Sequence, residues 1–456
     1  MKKIIALILF SVCCNIVAAQ PTYTLEQLKA SALSHNIAMR TARLDIDAAA
    51  ELRKEAFTKY FPSLSATGFW FNANKGMVQK DINLSEVIPS SIASTLSMLL
   101  PAEALAEMAS PVSISMMKNG TIGAITATQP VFAGGQIVNS NKLARVGEEA
   151  SKLQLQLSEQ EVEKQTEQYY WQLVSLQEKT KTLDAVDSLL ASIYKDVDVA
   201  VRAGVAMPND KLQVQLRQND IASKRLKLNN GISIIKLLLA QYCGLNNETF
   251  SVESSEMSDI AATVPEALAS GTLTPSTLNP QLTILPEYQL LQKQVEAATL
   301  QKRLALGKQL PTVAVGAGYN YHNLLDHDHT FGMVFATLSV PISDWWGGSH
   351  AIKRKKLLLD KAKQQLTDNT QLLDIRAQKA ANDVEEAQQQ ILLARKSIEQ
   401  AGENLRMNRD YYQAGTSRMS DLLEAQMLYQ QALDSRIDAI AEYNLKLLEY
   451  KQATGK

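Results

Sequence analysis

Two acidic residues, Asp421 and Glu424, follow a short glycine-containing turn near the end of the chain. They lie three residues apart, which places both side chains on one face of a helix. An acidic residue at a helix start, with Glu or Gln three positions later, is typical of an N-cap and suits the positive end of the helix dipole. Asp210 and Gln213 have the same arrangement. The local sequence therefore predicts that Asp421 and Asp210 are N-cap residues.

Three of the five histidines, His322, His327 and His329, lie in a polar segment with Asp326 and Asp328. Imidazoles and carboxylates are metal ligands, but this segment offers neither a helix nor a second pair of ligands. A polar turn between strands is the simpler interpretation. We assign no metal site here.

Other signals of enzymatic chemistry are weak. Gly316-Ala317-Gly318 is followed by Tyr and Asn rather than by a helix, so it is not a nucleotide-binding loop, and we recognise no P-loop, zinc motif or Ser-His-Asp spacing. The net charge of −1 gives no indication of nucleic-acid binding. We predict no catalytic residue, no cofactor and no enzymatic activity.

Residues 1–19 have the pattern of a signal peptide, since Lys2 and Lys3 precede an apolar run that ends in small residues. Cys13 and Cys14 lie within it and lack the small residues that precede a lipoprotein cysteine, so we predict no lipid anchor. Cys243 is then left without an intramolecular disulfide partner. No apolar run is long enough to predict a transmembrane helix.

The acidic pair belongs to a duplicated arrangement. Gly204 matches Gly415 and Asp210 matches Asp421 at a constant offset of 211, and Gly244 has a match at the same offset. We predict a first repeat at residues 20–245, a linker at 246–286 and a second repeat at 287–456. Each repeat is expected to contain a helix, two strands, a Pro and Gly-Gly turn, and two long helices joined by an Ala-Gly turn.

The helices are predicted to be unusually long. The first begins at a Thr24 cap and runs to Tyr60, and the segment from Gln136 to Ala203 would extend roughly 100 Å as a helix. Its apolar residues recur every three or four positions in a narrow seam, which is typical of helices that pack lengthwise. The predicted seam residues are Leu183, Val186, Leu190, Ile193, Val197 and Val201. The other long helices are predicted at 210–241, 349–413 and 421–452.

Four segments are candidate strands, at 63–74, 121–131, 312–322 and 331–340. In the third, alternate residues from Val313 to Tyr321 form an apolar face and the others are small or polar. A strand of an outer-membrane barrel has this pattern, and so does a half-buried strand of a soluble sandwich. Because roughly eight strands are the smallest number that closes a membrane barrel, strands of this chain that span a membrane must combine with those of other chains.

An insertion at 77–117 interrupts the first repeat. Ile92, Leu96, Leu99 and Leu100 share one helical face there. This indicates a hydrophobic loop packed on its own barrel or, alternatively, a segment that caps the outer mouth or lies on the outer leaflet. Aromatic residues near strand ends suit a membrane interface, although core packing uses them too. They are Trp70, Phe132, Trp345 and Trp346.

These features together resemble the TolC-like outer-membrane efflux proteins. The resemblance rests on the paired YFP and QLP helix ends, the Pro and Gly-Gly turns, and the twin Ala-Gly turns whose return helices end in LLLAQYCG and LLEYKQATG. It implies a mainly α fold with membrane β-barrel strands. Three chains each give four strands to a 12-stranded barrel and two helical hairpins to a coiled-coil tunnel in the periplasm.

The resemblance also implies roles for individual residues. The hairpin tips that meet the adaptor would be Ala203, Gly204 and Val205, and Ala414, Gly415 and Thr416. Asp421 and Glu424 would ring the closed pore, where like charges raise pKa values and favour cations. Tyr412 and Asp210 match two members of a latch between hairpins. Arg418 lies one place beyond the expected arginine position, which Ser417 occupies.

The predicted function is that of an outer-membrane exit duct for a tripartite efflux pump or a type I secretion system. Its partners would be two further copies of the chain, a periplasmic adaptor, an inner-membrane pump and the outer-membrane lipid. The alternative is a periplasmic adaptor or coiled-coil scaffold, although two hairpins with two strand pairs fit that class less well. The exported cargo and the class of pump are left open by the sequence.

Overall fold

The computed structural model describes residues 21–82, 112–245, 250–253, 282–324, 327–342 and 344–455, together with residues 89, 92, 95 and 101. The predicted signal peptide, with Cys13 and Cys14, lies outside these ranges. So do Leu96, Leu99, Leu100, Asp326, the side chain of Trp345 and most of the predicted linker.

The chain begins with the predicted cap. Strand β1 (Thr22–Tyr23) leads into helix α1 (Leu25–His35), where the Thr24 hydroxyl accepts from the Gln27 amide at 3.3 Å and the Gln27 side chain accepts from the Thr24 amide at 3.1 Å. This reciprocal pair is a capping box. The prediction of a Thr24 cap is confirmed.

One continuous first helix was predicted, and this is wrong. Helix α1 ends at His35 with Asn36 as its C-cap residue, and a second helix, α2, runs over Ile37–Thr58. The Asn36 side chain accepts from the Ala38 amide at 2.8 Å and donates to the Tyr242 carbonyl at 3.1 Å. Asparagine competes with the helix for backbone hydrogen bonds in this way, so the chain turns here.

The described residues divide into two compact units. One falls within Met1–Ala49, Gly147–Glu296 and Lys361–Lys456, and the other within Ala50–Val146 and Ala297–Asp360. Each unit draws on both predicted repeats. The repeat boundaries themselves stay a prediction.

The second of these units contains a four-stranded antiparallel sheet, with the strand order β2-β5-β7-β8. Its strands are β2 (Ser63–Asn72), β5 (Asn119–Ala133), β7 (Thr312–Asn323) and β8 (Asp328–Ser339). These are the four predicted strands. A separate hairpin of β3 (Val78–Ile82) and β4 (Val112–Met116) lies within the predicted insertion.

The register of this sheet separates two faces of different chemistry. Residues paired across strands share a face, and one face exposes mainly apolar side chains, with polar residues such as Asn323 and Asp328 near the end of the β7–β8 hairpin. Its large side chains are Leu64, Trp70, Ile125, Val315, Tyr319, Val334 and Leu338. The opposite face carries mainly small and polar residues with several aromatics, including Ser63, Ser65, Thr126, Thr128, Gly316, Asn320, His322, Phe331 and Phe335. The alternation predicted for the third strand therefore extends across the sheet.

The two predicted Gly-Gly turns differ. Gly134 and Gly135 have φ values of 59° and 73°, and helix α3 (Gln136–Arg202) begins directly after them. In the second copy Gly347 and Gly348 lie inside helix α6 (Asp344–Gln413), which begins before the predicted residue 349. A side chain at position 348 would meet the end of the Gln309 side chain, whereas Gly347 has open space around it, so neither glycine forms a turn here.

The other unit is helical. Helix α4 (Pro208–Cys243) returns after α3, and helix α7 (Met419–Thr454) returns after α6. Helix α5 (Pro286–Gly307) follows a short 3₁₀ turn at Leu282–Ile284. Strand β6 (Ser251–Val252) pairs in parallel with β1, and beside it Tyr170, Trp171 and Phe250 are among the largest fully buried side chains. No helix among the described residues is long and apolar enough to cross a membrane.

Candidate functional site: the two hairpin turns

The turns that join the long helices are built alike. Gly204 and Gly415 have φ values of 72° and 71°. At the first turn the Val205 amide donates to the Ala200 carbonyl and the Gly204 amide to the Val201 carbonyl. The same two bonds recur from Thr416 to Tyr411 and from Gly415 to Tyr412. Both turns are Schellman motifs, in which glycine takes a conformation that other residues rarely adopt.

The predicted tip residues lie at the surface. Ala203, Gly204, Val205, Ala414, Gly415 and Thr416 are all exposed. The first tip also presents apolar side chains to solvent, with Val205 80% and Met207 71% exposed. Such a tip is suited to contact with another protein.

The prediction that Asp421 and Asp210 are N-cap residues is wrong. The N-cap residues are Arg418 and Met207, so Asp421 and Asp210 are each the third residue of their helix. The Asp421 carboxylate instead accepts from the Arg418 backbone amide at 3.2 Å and from the hydroxyls of Ser417 and Ser420, each at 3.1 Å. It therefore stabilises the helix start from the third position.

These hydrogen bonds favour the ionised form of Asp421. The Arg418 amide is the largest cause, with Ser420 and Ser417 next, and together they lower the pKa below its ordinary value of 3.8. The resemblance implied a raised pKa from like charges around a pore. In a single chain the pKa of Asp421 is lowered instead, because the capping hydrogen bonds dominate. Glu424 lies one turn farther on and is also exposed.

The structure brings Tyr412 and Asp210 close together. Burial and the negative charge of Asp210 raise the pKa of Tyr412, so its hydroxyl stays protonated and able to donate at neutral pH. The Arg418 side chain is exposed and makes no ion pair with a described residue. The latch role of these residues stays a prediction.

Sequence reasoning missed Arg217, which joins the two hairpins. From α4 its guanidinium donates to the amide oxygens of Gln426 and Gln430 on α7, both at 3.0 Å, and to Asp220 at 2.5 Å. Gln426 is 0% and Gln430 4% exposed. The guanidinium holds its N–H donors in a fixed planar fork, which suits the two glutamine oxygens one helical turn apart on α7. One feature of the sequence could have indicated Arg217. It lies seven residues after Asp210, so the two side chains share one face of α4.

An apolar cluster lies between the long helices next to the turns. Leu183, Val186, Leu190, Ile193 and Val197 of α3 are buried together. They pack with Val214 and Ile221 of α4 and with Met419 and Leu422 of α7, and Val201 packs partly buried against them. The predicted seam is confirmed. This cluster holds the start of α7 against the first hairpin and thereby positions Asp421 and Glu424.

Ionic contacts strengthen the first hairpin near its tip. Asp198 pairs with Arg202 and, at 2.6 Å, with Lys211 of the return helix. Hydrogen bonds from Lys211, then from Arg202, lower the pKa of Asp198. Farther from the tip, Arg225 contacts Asp184 at 2.7 Å.

The histidine segment forms the end of the β7–β8 hairpin. His322 and His329 are Cα partners, whereas His327 lies between the strands and is exposed. Within the described part of the chain, no group of three or more His, Cys, Asp or Glu side chains is placed to hold a metal ion. Asp326 falls outside the described residues.

Comparison with known proteins relates part of the chain to one sequence family. Residues 286–456 match the sequence family described as outer membrane efflux protein. Among curated protein sequences, none matches the chain significantly.

Solved structures match nearly the whole chain. The outer membrane protein VceC of Vibrio cholerae has a TM-score of 0.70 at 14% identity, covering 94% of this chain and 96% of its own. The Campylobacter jejuni CmeC outer membrane channel scores 0.70 at 14% identity over 94% and 85%. The Neisseria gonorrhoeae MtrE outer membrane channel scores 0.68 at 14% identity over 94% and 88%. These likenesses establish the fold, and the family match over residues 286–456 supports the resemblance seen in the sequence.

Proposed function

We propose that the protein is an outer-membrane exit duct, because residues 286–456 match the outer membrane efflux protein family and nearly the whole chain has the fold of outer-membrane channels. It conducts solutes passively from partners in the cell envelope to the exterior. The family and the fold relatives are channels rather than enzymes. They disfavour the adaptor or scaffold alternative and leave open whether the duct serves an efflux pump or type I secretion.

The four-stranded sheet carries the membrane part of this proposal. Its apolar face exposes Val334 at 86%, Leu64 at 74% and Trp70 at 68%. Lipid is the solvent that such a face requires, and the mainly polar opposite face suits a water-filled lumen. Trp70, on the apolar face near a strand end, is placed to anchor at the membrane interface.

The sheet's open edges support a trimer. Strands β2 and β8 each have one described neighbour, which leaves one edge of each strand unpaired within the chain. In lipid, each unpaired backbone group costs several kcal/mol, so another chain must cover these edges. Three chains with four strands each give twelve strands, enough for a closed barrel with an aqueous interior.

The paired turns are the proposed constriction and docking point. Asp421 and Glu424 from three chains form acidic rings that favour cations, while Tyr412, Asp210 and Arg418 restrain the hairpins. The exposed tips, Ala203–Val205 and Ala414–Thr416, contact a periplasmic adaptor that connects the duct to an inner-membrane pump. Neighbouring Arg217 ties α4 to α7, so movement of one tip is transmitted to the other.

Cell fractionation tests this proposal. The protein is expected to stay with the outer membrane after a carbonate wash and to migrate as a trimer in mild detergent. A peripheral periplasmic protein from the same cells serves as the control for washing. Release of the chain into the soluble fraction as a monomer would favour the scaffold alternative.

A further inference from the structure

A row of paired residues crosses all four strands near the end of the β7–β8 hairpin. Phe69 pairs with Ile122, Ile122 with His322, and His322 with His329, so the four side chains share the less apolar face of the sheet. The two imidazoles are therefore adjacent, with an apolar residue on the far side of His322. Phe331, two positions after His329, packs against both rings, with centroids 6.1 and 6.2 Å away.

The separation of the imidazoles suits a shared metal ion. Their ring centroids are 5.3 Å apart. With metal–nitrogen bonds of about 2.0–2.1 Å and near-tetrahedral geometry, two rings bound to one ion have centroids roughly 5 Å apart. The pair is thus close to the required spacing without movement of the strands.

One imidazole atom lacks a partner. His322 Nδ1 is buried and accepts or donates no hydrogen bond among the described residues, and the same is true of Asn320 Nδ2 two positions earlier on this face. Buried polar groups are normally satisfied, and this unpaired ring nitrogen, beside a second imidazole, is free to act as a metal ligand. His329 is exposed, which leaves the pair accessible from solvent.

The opposite face of the hairpin is held rigidly. Tyr321 and Asn323 donate to the Asp328 carboxylate at 2.8 and 2.9 Å, which ties the last residues of β7 to the first of β8. These bonds and the cross-strand pairing place His322 beside His329 without any ion. A preorganised pair loses less freedom on binding than two independent side chains would.

We propose that His322 and His329 form a two-imidazole site for a borderline divalent transition-metal ion such as Cu²⁺, Ni²⁺ or Zn²⁺, with water completing the coordination. Imidazole ligands exclude Ca²⁺ and Mg²⁺, which prefer oxygen. Both ligands come from one hairpin of one chain. The proposal therefore does not depend on assembly or on the function as a duct.

Calorimetric titration with Ni²⁺, and separately with Cu²⁺, tests the site, using the full chain purified in detergent without a polyhistidine tag. The wild-type protein is expected to bind about one ion per chain, more tightly for Cu²⁺ than for Ni²⁺. His322→Gln and His329→Gln should each weaken Ni²⁺ binding by at least about tenfold, because one of two protein ligands is lost. His327→Gln and His350→Gln are the matched controls and should bind like the wild type.

A second measurement guards against misfolded variants. His329→Phe should keep the ring contacts and the thermal stability but lose the ion. Equal Ni²⁺ affinity in the wild type, His322→Gln and His329→Gln would overturn the proposal. So would an equal loss in His327→Gln, which would assign the binding to the exposed turn.

Discussion

At the scale of single residues, Asp421 has one task that the structure shows, capping, and with Glu424 a second that we propose, lining the pore. Asp421 accepts three hydrogen bonds that organise the start of α7, whereas Glu424 is exposed and has no hydrogen-bond or ion-pair partner among the described residues. Capping needs only an acceptor oxygen, but an acidic pore ring needs negative charge. Substitutions that keep the oxygen and remove the charge therefore distinguish the two tasks.

The pore task predicts a change in ion flow. Asp421→Ala combined with Glu424→Ala should raise the single-channel conductance and weaken the preference for cations, because the narrowest acidic rings are lost. The matched control is Asp368→Ala with Asp374→Ala, two exposed acids of α6 away from the turn. Unchanged conductance and selectivity in the tip variant would contradict the constriction assignment.

The capping task predicts a dependence on pH. Asp421 has a lowered pKa in the folded chain, so its stabilisation is fully present above its ordinary value of 3.8 and is lost as the pH falls through the folded value. Asp421→Ala should therefore reduce the thermal stability at pH 7, and this deficit should shrink as the pH falls below 3.8. Asp421→Asn keeps an acceptor for the Arg418 amide and should unfold nearer to the wild type at pH 7. A larger deficit at the lower pH would refute the capping geometry.

At the scale of elements, periodicity predicted the features that depend on local pattern. The seam from Leu183 to Val201, the four strands and the glycine turns follow from spacing and glycine chemistry. The break at Asn36 was missed because its cause is a hydrogen bond to Tyr242, far away in sequence. Arg217 was missed for the same reason, since its acceptors lie on α7. Asp210 and Asp421 were wrongly predicted to be N-cap residues because acidic residues are favourable at several positions of the first helical turn.

The turns make a prediction about glycine. Gly204→Ala and Gly415→Ala should each destabilise the protein by about 1 kcal/mol, because alanine is strained at positive φ although nothing obstructs the added Cβ. Gly147→Ala is the control, since this exposed glycine lies within α3 and also has open space around it. It should stabilise by about 0.5–1 kcal/mol through helix propensity. Chemical unfolding measures all three, and equal effects would contradict the turn geometry.

The contact between hairpins makes a further prediction. Arg217→Met should destabilise the protein by about 1–3 kcal/mol, because the buried acceptors on Gln426 and Gln430 lose their donors. Arg217→Lys should recover only part of this, since one ammonium cannot reproduce the fork. Arg225→Met removes a more exposed pair within one hairpin and should cost less than about 1 kcal/mol. If Arg225→Met lowered the free energy of unfolding as much as Arg217→Met, the contact between hairpins would not be more stabilising than a contact within one hairpin.

At the scale of the whole molecule, the chain is incomplete as a membrane structure. The sheet has unpaired edges at β2 and β8, and its apolar face is exposed. The sequence predicted that four strands cannot close a barrel, and this conclusion needed only strand number and the cost of open edges in lipid. The cross-strand register that unites the apolar face was not predictable, because strands 63–72 and 119–133 alternate poorly when each is considered alone.

The central claim is that the assembled protein is a cation-preferring duct. Its most direct test is single-channel recording of the wild-type protein, purified as an oligomer from the outer membrane and inserted into a planar lipid bilayer with a salt gradient. The account predicts discrete, small conductance steps with a reversal potential that favours cations, because the acidic rings narrow the periplasmic end. Absence of channels, or channels that prefer anions, would contradict it.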